Sequence, residues 1–285
     1  MTQHFVIIGG GIAGLATAYY AQKNARETGL DLSVTLIERD ARLGGKIATD
    51  TPAGFVIEGG PDSFITQKPW AIQLCRELGL EDRLMGTNDA KRNTFILRGG
   101  KLRKMPDGMM LIIPTEFMPF VTSNLISWPG KMRMGMDLFI PRRKEDSDES
   151  LGDFIRRRLG QEALDVLAEP MMAGIHVADA EKLSLKATFP RFIDTEKKYG
   201  SLTRGMIAAK KARAETAKNA SHNGNGSKPT TIFMTLKNGL QELVAALEKA
   251  IRDAGGTIMT GCGVQQVLPT GNTYALDLDD GRTLE

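Results

Sequence analysis

A glycine-rich segment near the N-terminus has the residue types and the spacing that bind a nucleotide phosphate. Gly9, Gly11 and Gly14 follow an apolar stretch and precede a helical pattern. In such a turn the first glycine allows a tight bend, the second lets the backbone approach a pyrophosphate, and the third lets helix and strand pack closely. The free N–H groups at the start of the helix then face the anion. The sequence therefore predicts a dinucleotide pyrophosphate site at residues 9–14.

A carboxylate stands where it can bind the ribose of the same dinucleotide. Glu38 closes the next predicted strand, twenty-four residues after Gly14. The polar insert at residues 26–33 accounts for a spacing slightly above the usual value of about 20. A carboxylate at this position accepts hydrogen bonds from ribose hydroxyls and disfavours a 2′-phosphate. These residues do not separate FAD from NAD, because both cofactors present an adenosine ribose and a pyrophosphate to the same fold.

The elements that must position these residues follow a strand, helix, strand pattern. Apolar residues at 5–8 and 34–37 predict strands on either side of a helix at 15–25, which is a parallel βαβ unit. Further predicted elements are helices at 70–78, 151–167 and 240–251, a hairpin around Gly99-Gly100, and strands at 231–235, 257–260, 264–268 and 274–278. Residues 210–229 are low in complexity and predict a mobile loop.

Composition excludes several classes of protein. With 285 residues, 41% hydrophobic and 25% charged, the chain resembles an ordinary globular protein with a real core. A net charge of +3 is too small to favour nucleic acid as a partner. The two cysteines are far apart and predict neither a disulfide framework nor a metal site, so a reducing compartment is expected. The longest apolar run, at residues 109–114, is too short to span a membrane, and peripheral membrane contact stays open.

The residues that follow Glu38 resemble a known signature. Glu38-Arg39 and the run Arg42-Leu43-Gly44-Gly45-Lys46 are similar to the second glycine motif of the flavin-containing amine oxidase superfamily. Segments that resemble the bacterial protoporphyrinogen and coproporphyrinogen oxidases of that superfamily lie at residues 58–64, 101–110, 169–176, 183–190 and 233–247. Because these segments are spread over the whole chain, the resemblance covers most of its length.

This resemblance implies an α/β fold in which a discontinuous, Rossmann-like FAD-binding domain carries an inserted, largely helical substrate domain. It assigns residues 1–95 and 228–285 to the FAD domain and residues 96–227 to the substrate domain, and it implies that a C-terminal part of the family fold is missing after Glu285. The residues that it assigns to FAD are Gly9, Gly10, Gly11, Ile12, Ala13, Gly14, Glu38, Arg39, Gly44, Gly45, Lys46, Gly60, Pro61, Asp62, Ser63 and Val264.

The activity that the resemblance implies is oxidation of coproporphyrinogen III or protoporphyrinogen IX in haem biosynthesis. FAD would carry out the reaction with dioxygen as electron acceptor, in the cytoplasm or at the cytoplasmic face of the membrane. Since the cofactor does this chemistry, no catalytic triad is required and no side chain is assigned as a catalytic acid or base. Two alternatives stay open, namely another superfamily enzyme such as a carotenoid desaturase or an amine oxidase, and a non-catalytic nucleotide-binding fragment.

Basic and apolar residues between the two FAD segments are candidates for substrate contacts. Arg98, Lys101 and Arg103 of the predicted hairpin can meet substrate carboxylates through charge-assisted hydrogen bonds, although a solvated edge strand explains them equally well. The methionine-rich residues 105–136 favour ordinary core over a macrocycle pocket. Interfacial membrane docking through Phe117, Phe120 and Trp128, beside Lys131, Arg133 and residues 142–144, is a third alternative. His176 is expected to serve in packing rather than as a base.

Overall fold

The structure, a computed structural model, describes residues 2–88, 93–110, 112–222 and 231–284. Within that part, the side chains of residues 110, 173, 175, 176, 213, 214 and 216–222 are not described, so the prediction for His176 lies outside it. The chain divides into two units. Met1–Asn88 and Lys228–Glu285 form the first unit, and Asp89–Ser227 form the second.

The first unit contains a parallel sheet with helices packed against it. Its strands are β1 (Gln3–Ile8), β2 (Leu32–Glu38), β3 (Thr49–Asp50), β4 (Ile57–Glu58), β5 (Phe64–Ile65), β6 (Leu84–Gly86), β11 (Phe233–Leu236), β12 (Thr257–Thr260), β13 (Val264–Thr270), β14 (Thr273–Leu278) and β15 (Thr283–Leu284). Its helices are α1 (Ile12–Thr28), α2 (Trp70–Glu77) and α11 (Gln241–Asp253).

The central sheet of this unit places the predicted nucleotide residues at one edge. β2 lies between β1 and β12, and all three run parallel, with Thr260 opposite Glu38. Leu36 of β2 is fully buried, as expected for a parallel strand that is covered on both faces. α1 packs against β2 and α11, and Leu15 and Leu247 bury their side chains completely. The predicted βαβ unit is confirmed, and it brings the glycine turn and Glu38 to the carboxyl end of the strands, where such sheets bind ligands.

The second unit is mainly helical, with two small hairpins. Its helices are α3 (Phe117–Thr122), α4 (Trp128–Gly135), α5 (Leu151–Leu159), α6 (Gln161–Ala163), α7 (Glu169–His176), α8 (Leu185–Thr188), α9 (Pro190–Tyr199) and α10 (Leu202–His222). Its strands are β7 (Phe95–Arg98), β8 (Lys101–Lys104), β9 (Met109–Met110) and β10 (Ile113–Pro114). Of the helices that the structure describes in either unit, none has both the length and the apolar character needed to cross a bilayer.

Two sequence expectations for this unit were wrong. The helix predicted from Leu151 to Leu167 ends at Leu159, because Gly160 has a φ of 94°, and the chain continues through α6 into a π-helical turn at Leu164–Ala168. Residues 210–222 belong to α10 and not to a mobile loop. Alanine and lysine are frequent in this stretch, and their high helix propensity explains the difference. Residues 223–229 of the predicted loop lie outside the described part of the chain.

Candidate functional site

The backbone of the glycine turn has the shape that its sequence predicts. Gly9 has a φ of 104°, a conformation that favours glycine. A Cβ on Gly14 would overlap the carbonyl oxygen of Gly9, so only glycine lets the helix start this close to the strand. A Cβ on Gly11 would meet nothing within 4 Å, which leaves open space beside the backbone. The three glycines thus provide the bend, the close packing and the approach path that a pyrophosphate needs.

The start of α1 faces this open space. In α1, which is described in full, the first turn contains no acidic residue and no side chain caps the helix. Ile12 and Ala13 therefore keep the first free N–H groups of the helix, at the positive end of its dipole. A phosphate is the kind of ligand that satisfies such groups.

Glu38 lies directly beside the turn. Its Oε2 accepts a hydrogen bond from the N–H of Gly10 at 2.5 Å, and its Oε1 accepts one from the N–H of Asp40 at 2.8 Å. A Cβ on Gly10 would lie 2.6 Å from Cδ2 of Leu43 and 3.0 Å from Cβ of Glu38, so a side chain at this position would displace one of these neighbours. Each carboxylate oxygen retains a second lone pair, which can accept from a ribose hydroxyl. Backbone hydrogen bonds therefore hold the carboxylate in the place where a ribose would follow the pyrophosphate.

The second glycine motif packs onto the first. The N–H of Gly44 donates to the carbonyl oxygen of Gly10 at 2.8 Å, and a Cβ on Gly45 would lie 3.2 Å from Cα of Gly11. Arg42 fixes this loop, since its guanidinium donates to the carbonyl oxygens of Gly45 at 2.7 Å and of Ile47 at 2.9 Å. Arg42 belongs to the motif recognised in the sequence, but its role in organising the loop was not predicted.

The remaining predicted FAD residues lie on both sides of these motifs. A Cβ on Gly60 would overlap the carbonyl oxygen of Lys46, so these two predicted residues are in direct contact. Pro61 and Asp62 are exposed, and Asp62 accepts a hydrogen bond from the hydroxyl of Ser63 at 2.7 Å. The side chain of Ser63 thus has a partner within the loop itself.

Arg39 and Val264 lie on the side of Glu38 that faces β12 and β13. The carbonyl oxygen of Glu38 accepts from the N–H of Cys262 at 3.1 Å, and a Cβ on Gly263 would lie 3.2 Å from Cγ of Arg39. Val264 follows Gly263 and starts β13. The loop before β13 thus connects Val264 to the end of β2. The assignment of these residues to FAD stays a prediction, but the first unit brings them into a chain of contacts around the glycine turn.

The basic hairpin of the second unit is occupied by internal contacts. Arg98 and Lys101 are opposite each other, so with Arg103 they share one face of the β7–β8 hairpin. Arg98 donates to the carbonyl oxygen of Leu125 and forms an ion pair with Glu162 at 2.7 Å. Burial opposes ionisation of Glu162, but its hydrogen bonds, including the one from Arg98, lower its pKa overall. Sequence reasoning missed this partner because sixty-four residues separate the two positions.

Arg103 and Lys101 have fewer hydrogen bonds and ion pairs than Arg98. Arg103 donates to the carbonyl oxygen of Asn124 at 3.2 Å, while its buried Nε has no hydrogen-bond partner in the structure. Lys101 is exposed, and no ion pair to it occurs among the residues that the structure describes. Of the three predicted substrate contacts, Lys101 is exposed, whereas Arg98 and Arg103 are partly buried.

Comparison with known proteins matches the chain to a protein family. Residues 12–285 match the family model described as flavin containing amine oxidoreductase. A coproporphyrinogen III oxidase from Bacillus subtilis (strain 168) is 42% identical over 99% of this chain and 58% of its own length. A coproporphyrinogen III oxidase from Propionibacterium freudenreichii subsp. freudenreichii is 36% identical over 99% of this chain and 55% of its own length.

A solved structure supports the same relationship. The crystal structure of a protein from Exiguobacterium sp. 255-15, described as a "Putative protoporphyrinogen oxidase", aligns with a TM-score of 0.82 at 32% identity. The alignment covers 99% of this chain and 58% of that one. The chain thus spans a little more than half the length of each of these three relatives.

Proposed function

The chain belongs to the flavin containing amine oxidoreductase family, and from this premise we propose that it acts in the FAD-dependent oxidation of coproporphyrinogen III to the porphyrin in haem biosynthesis. Its fold is the mixed α/β fold of that superfamily, and the cofactor of the family is a flavin. The observation that carries the proposal is the hydrogen bond between Gly10 and Glu38, which joins the glycine turn proposed for the pyrophosphate to the carboxylate proposed for the ribose.

Coproporphyrinogen III is the preferred substrate in this proposal. The support comes from the two coproporphyrinogen III oxidases described above, which are similar to nearly the whole chain. A protoporphyrinogen oxidase from Arabidopsis thaliana is less similar, at 29% identity over 86% of the chain. Dioxygen is the proposed electron acceptor, and the cytoplasm is the proposed compartment, with contact at the membrane face open.

The residues of the first unit bind and orient the cofactor in this proposal. The N–H groups of residues 11–14 donate to the pyrophosphate, while the N–H of Gly10 holds Glu38, which accepts from the ribose. The backbone of Val264 reads the edge of the adenine, for which a neutral strand residue suffices because the N–H and C=O groups do the recognition. When bound, FAD would supply the oxidation in repeated two-electron steps, so the chain need only hold the substrate and exclude water.

The second unit is the substrate domain in this proposal. A porphyrinogen is a largely apolar macrocycle with carboxylate side chains, so it needs an apolar surface and at least one cation. Lys101 is the first contact for a carboxylate, because Arg98 is already paired with Glu162. Arg103 is the second contact, because its side chain is partly exposed and forms no ion pair among the described residues.

The proposal is tested by supplying the FAD-loaded protein with coproporphyrinogen III or protoporphyrinogen IX and following porphyrin fluorescence in air. We expect a flavin-dependent rise that is faster with coproporphyrinogen III. The Lys101→Met variant should raise KM and leave FAD binding unchanged, and Lys182→Met, which replaces another exposed lysine of the unit, should change neither. Full FAD loading without a flavin-dependent rise for either substrate would contradict the proposed reaction.

A further inference from the structure

An apolar pocket lies within the second unit, apart from the residues assigned to FAD or to substrate. Its volume is about 160 Å³, and it opens between α3 and α4. The apolar part of its lining includes Phe120, Val121, Trp128, Met132 and Met134. Phe120 and Met134 are buried, whereas Trp128 and Met132 are 64% and 71% exposed. The pocket thus has a closed apolar floor and an exposed apolar rim.

One cation interrupts this apolar lining. Lys131 also lines the pocket, yet only 8% of the residue is exposed. Its Nζ donates to the carbonyl oxygens of Val121 at 2.7 Å and of Ser123 at 2.6 Å, and it lies 4.7 Å from the centre of the Trp128 ring. Both Val121 and Trp128 line the pocket, so the ammonium lies at its wall.

Among the residues that the structure describes, this ammonium has two hydrogen-bond acceptors and no counter-ion. An ammonium has three N–H donors, and the two carbonyl oxygens account for two of them. Among the ion pairs of the described residues, none includes Lys131. Buried charges in proteins are usually paired, so a positive charge at the wall of an apolar pocket is complementary to an anion that carries an apolar group.

We propose that this pocket binds a small amphiphilic carboxylate, with the carboxylate on Nζ of Lys131 and the apolar tail against Phe120 and Met134. The size of the pocket limits the tail, because an apolar cavity of about 150 Å³ holds a benzene ring. A single ring or a short alkyl chain fits, and a longer chain must leave the pocket along Trp128 and Met132. The site is independent of the proposed flavin chemistry, since it uses none of those residues.

The contacts of neighbouring residues favour a small ligand over a membrane surface. Arg133 donates to the carbonyl oxygens of Arg156 at 3.0 Å and Arg157 at 2.8 Å, at the end of α5. Phe120 is only 6% exposed, and Lys131 is buried. Of the residues that suggested membrane docking in the sequence, Phe120 and Lys131 are therefore buried, while Phe117 and Trp128 are exposed.

Titration with octanoate tests the proposal, with Trp128 fluorescence as the readout. The chain has two tryptophans, and replacing Trp70 of the first unit by phenylalanine leaves Trp128 as the sole reporter. We expect a saturable change with octanoate and binding at least tenfold weaker in Lys131→Met, because a charge-assisted hydrogen bond is lost. Octanol, which lacks the charge, should bind both proteins equally. Lys182→Met serves as the control for loss of a lysine outside the pocket.

A second variant keeps the test valid if Lys131→Met does not fold. Gly135 lines the pocket in a helical conformation, with a φ of −61°, and a Cβ on it would meet nothing within 4 Å. Gly135→Leu should therefore fold, as checked by circular dichroism, and weaken octanoate binding at least tenfold by filling the pocket. Gly135→Ala should bind within twofold of the parent. The proposal is overturned if octanoate gives no saturable change, if folded Gly135→Leu binds as tightly as Gly135→Ala, or if only anionic phospholipid vesicles change Trp128 fluorescence.

Discussion

Replacing Asp137 by alanine should destabilise the second unit strongly, because its carboxylate neutralises a buried guanidinium. Asp137 and Arg158 are both completely buried. Oδ1 of Asp137 accepts from Nε of Arg158 at 2.6 Å, while Oδ2 accepts from the hydroxyl of Ser201 at 2.6 Å and the N–H of Thr203 at 2.8 Å. The substitution leaves these donors without their acceptor.

The magnitude follows from what remains around Arg158. Breaking a buried ion pair by removing one partner costs about 3–5 kcal/mol. Glu196 stays at 3.3 Å from Nη1, and the carbonyl oxygens of Ile140 and Gly200 each accept at 2.9 Å. Because the charge keeps these acceptors, we expect a loss of about 3 kcal/mol in the free energy of unfolding of the second unit, at the lower end of that range.

Urea denaturation followed by Trp128 fluorescence in a Trp70→Phe background measures this loss in the second unit. Lys197→Ala is the matched control, because the Lys197–Asp146 pair is 58% and 80% exposed and should contribute less than about 1 kcal/mol. Replacing Asp137 and Arg158 together by leucine and methionine should cost less than Asp137→Ala alone. A loss below about 1 kcal/mol for Asp137→Ala, or one equal to that of the control, would refute this reasoning.

Three further predictions concern individual residues. Gly14→Ala should weaken FAD binding at least tenfold, because its Cβ would overlap the carbonyl oxygen of Gly9; a fluorescence titration that gives the parent affinity would contradict this. Burial raises the pKa of Cys75 from about 9 to about 11. The folded protein therefore keeps a proton that the unfolded chain releases, and stability should fall between pH 9 and 11, with a shallower fall in Cys75→Ala. Equal slopes in urea denaturation across that pH range would exclude this effect. Ser150→Ala should cost about 1 kcal/mol in the same denaturation measured at pH 7, since its Oγ caps α5 by accepting from the N–H of Asp153 at 2.9 Å; an unchanged midpoint would show that the cap contributes nothing.

Local patterns predicted the first unit well. The strand at residues 257–260 and the helix near residues 240–251 were found within two residues of their predicted limits, because alternating or helical apolar spacing is set by the burial of one face. The order of the strands in the sheet was harder to predict from the sequence. That β12 lies beside β2, more than two hundred residues away in sequence, follows from tertiary packing and not from any local pattern.

In the second unit, the burial and the partners of several residues could not be predicted from the neighbouring sequence. Arg158 lies in α5 among other arginines, so nothing in its neighbours distinguishes a fully buried guanidinium from exposed ones. The ion pair of Arg98 was also not predicted, because its partner Glu162 is remote in sequence. The break at Gly160 carried a signal, a glycine within a helical pattern, but such a residue is also tolerated inside helices.

The most direct test of the account is to locate FAD on the protein by its effect on assigned backbone amide resonances in ¹⁵N–¹H correlation spectra. The largest shifts should fall on residues 9–14, Glu38 and residues 44–46. Glu38→Ala should lower the affinity for FAD, while Glu27→Ala, on the same unit, should leave it unchanged. Shifts that are confined to the second unit, or no shifts at saturating FAD, would contradict the account.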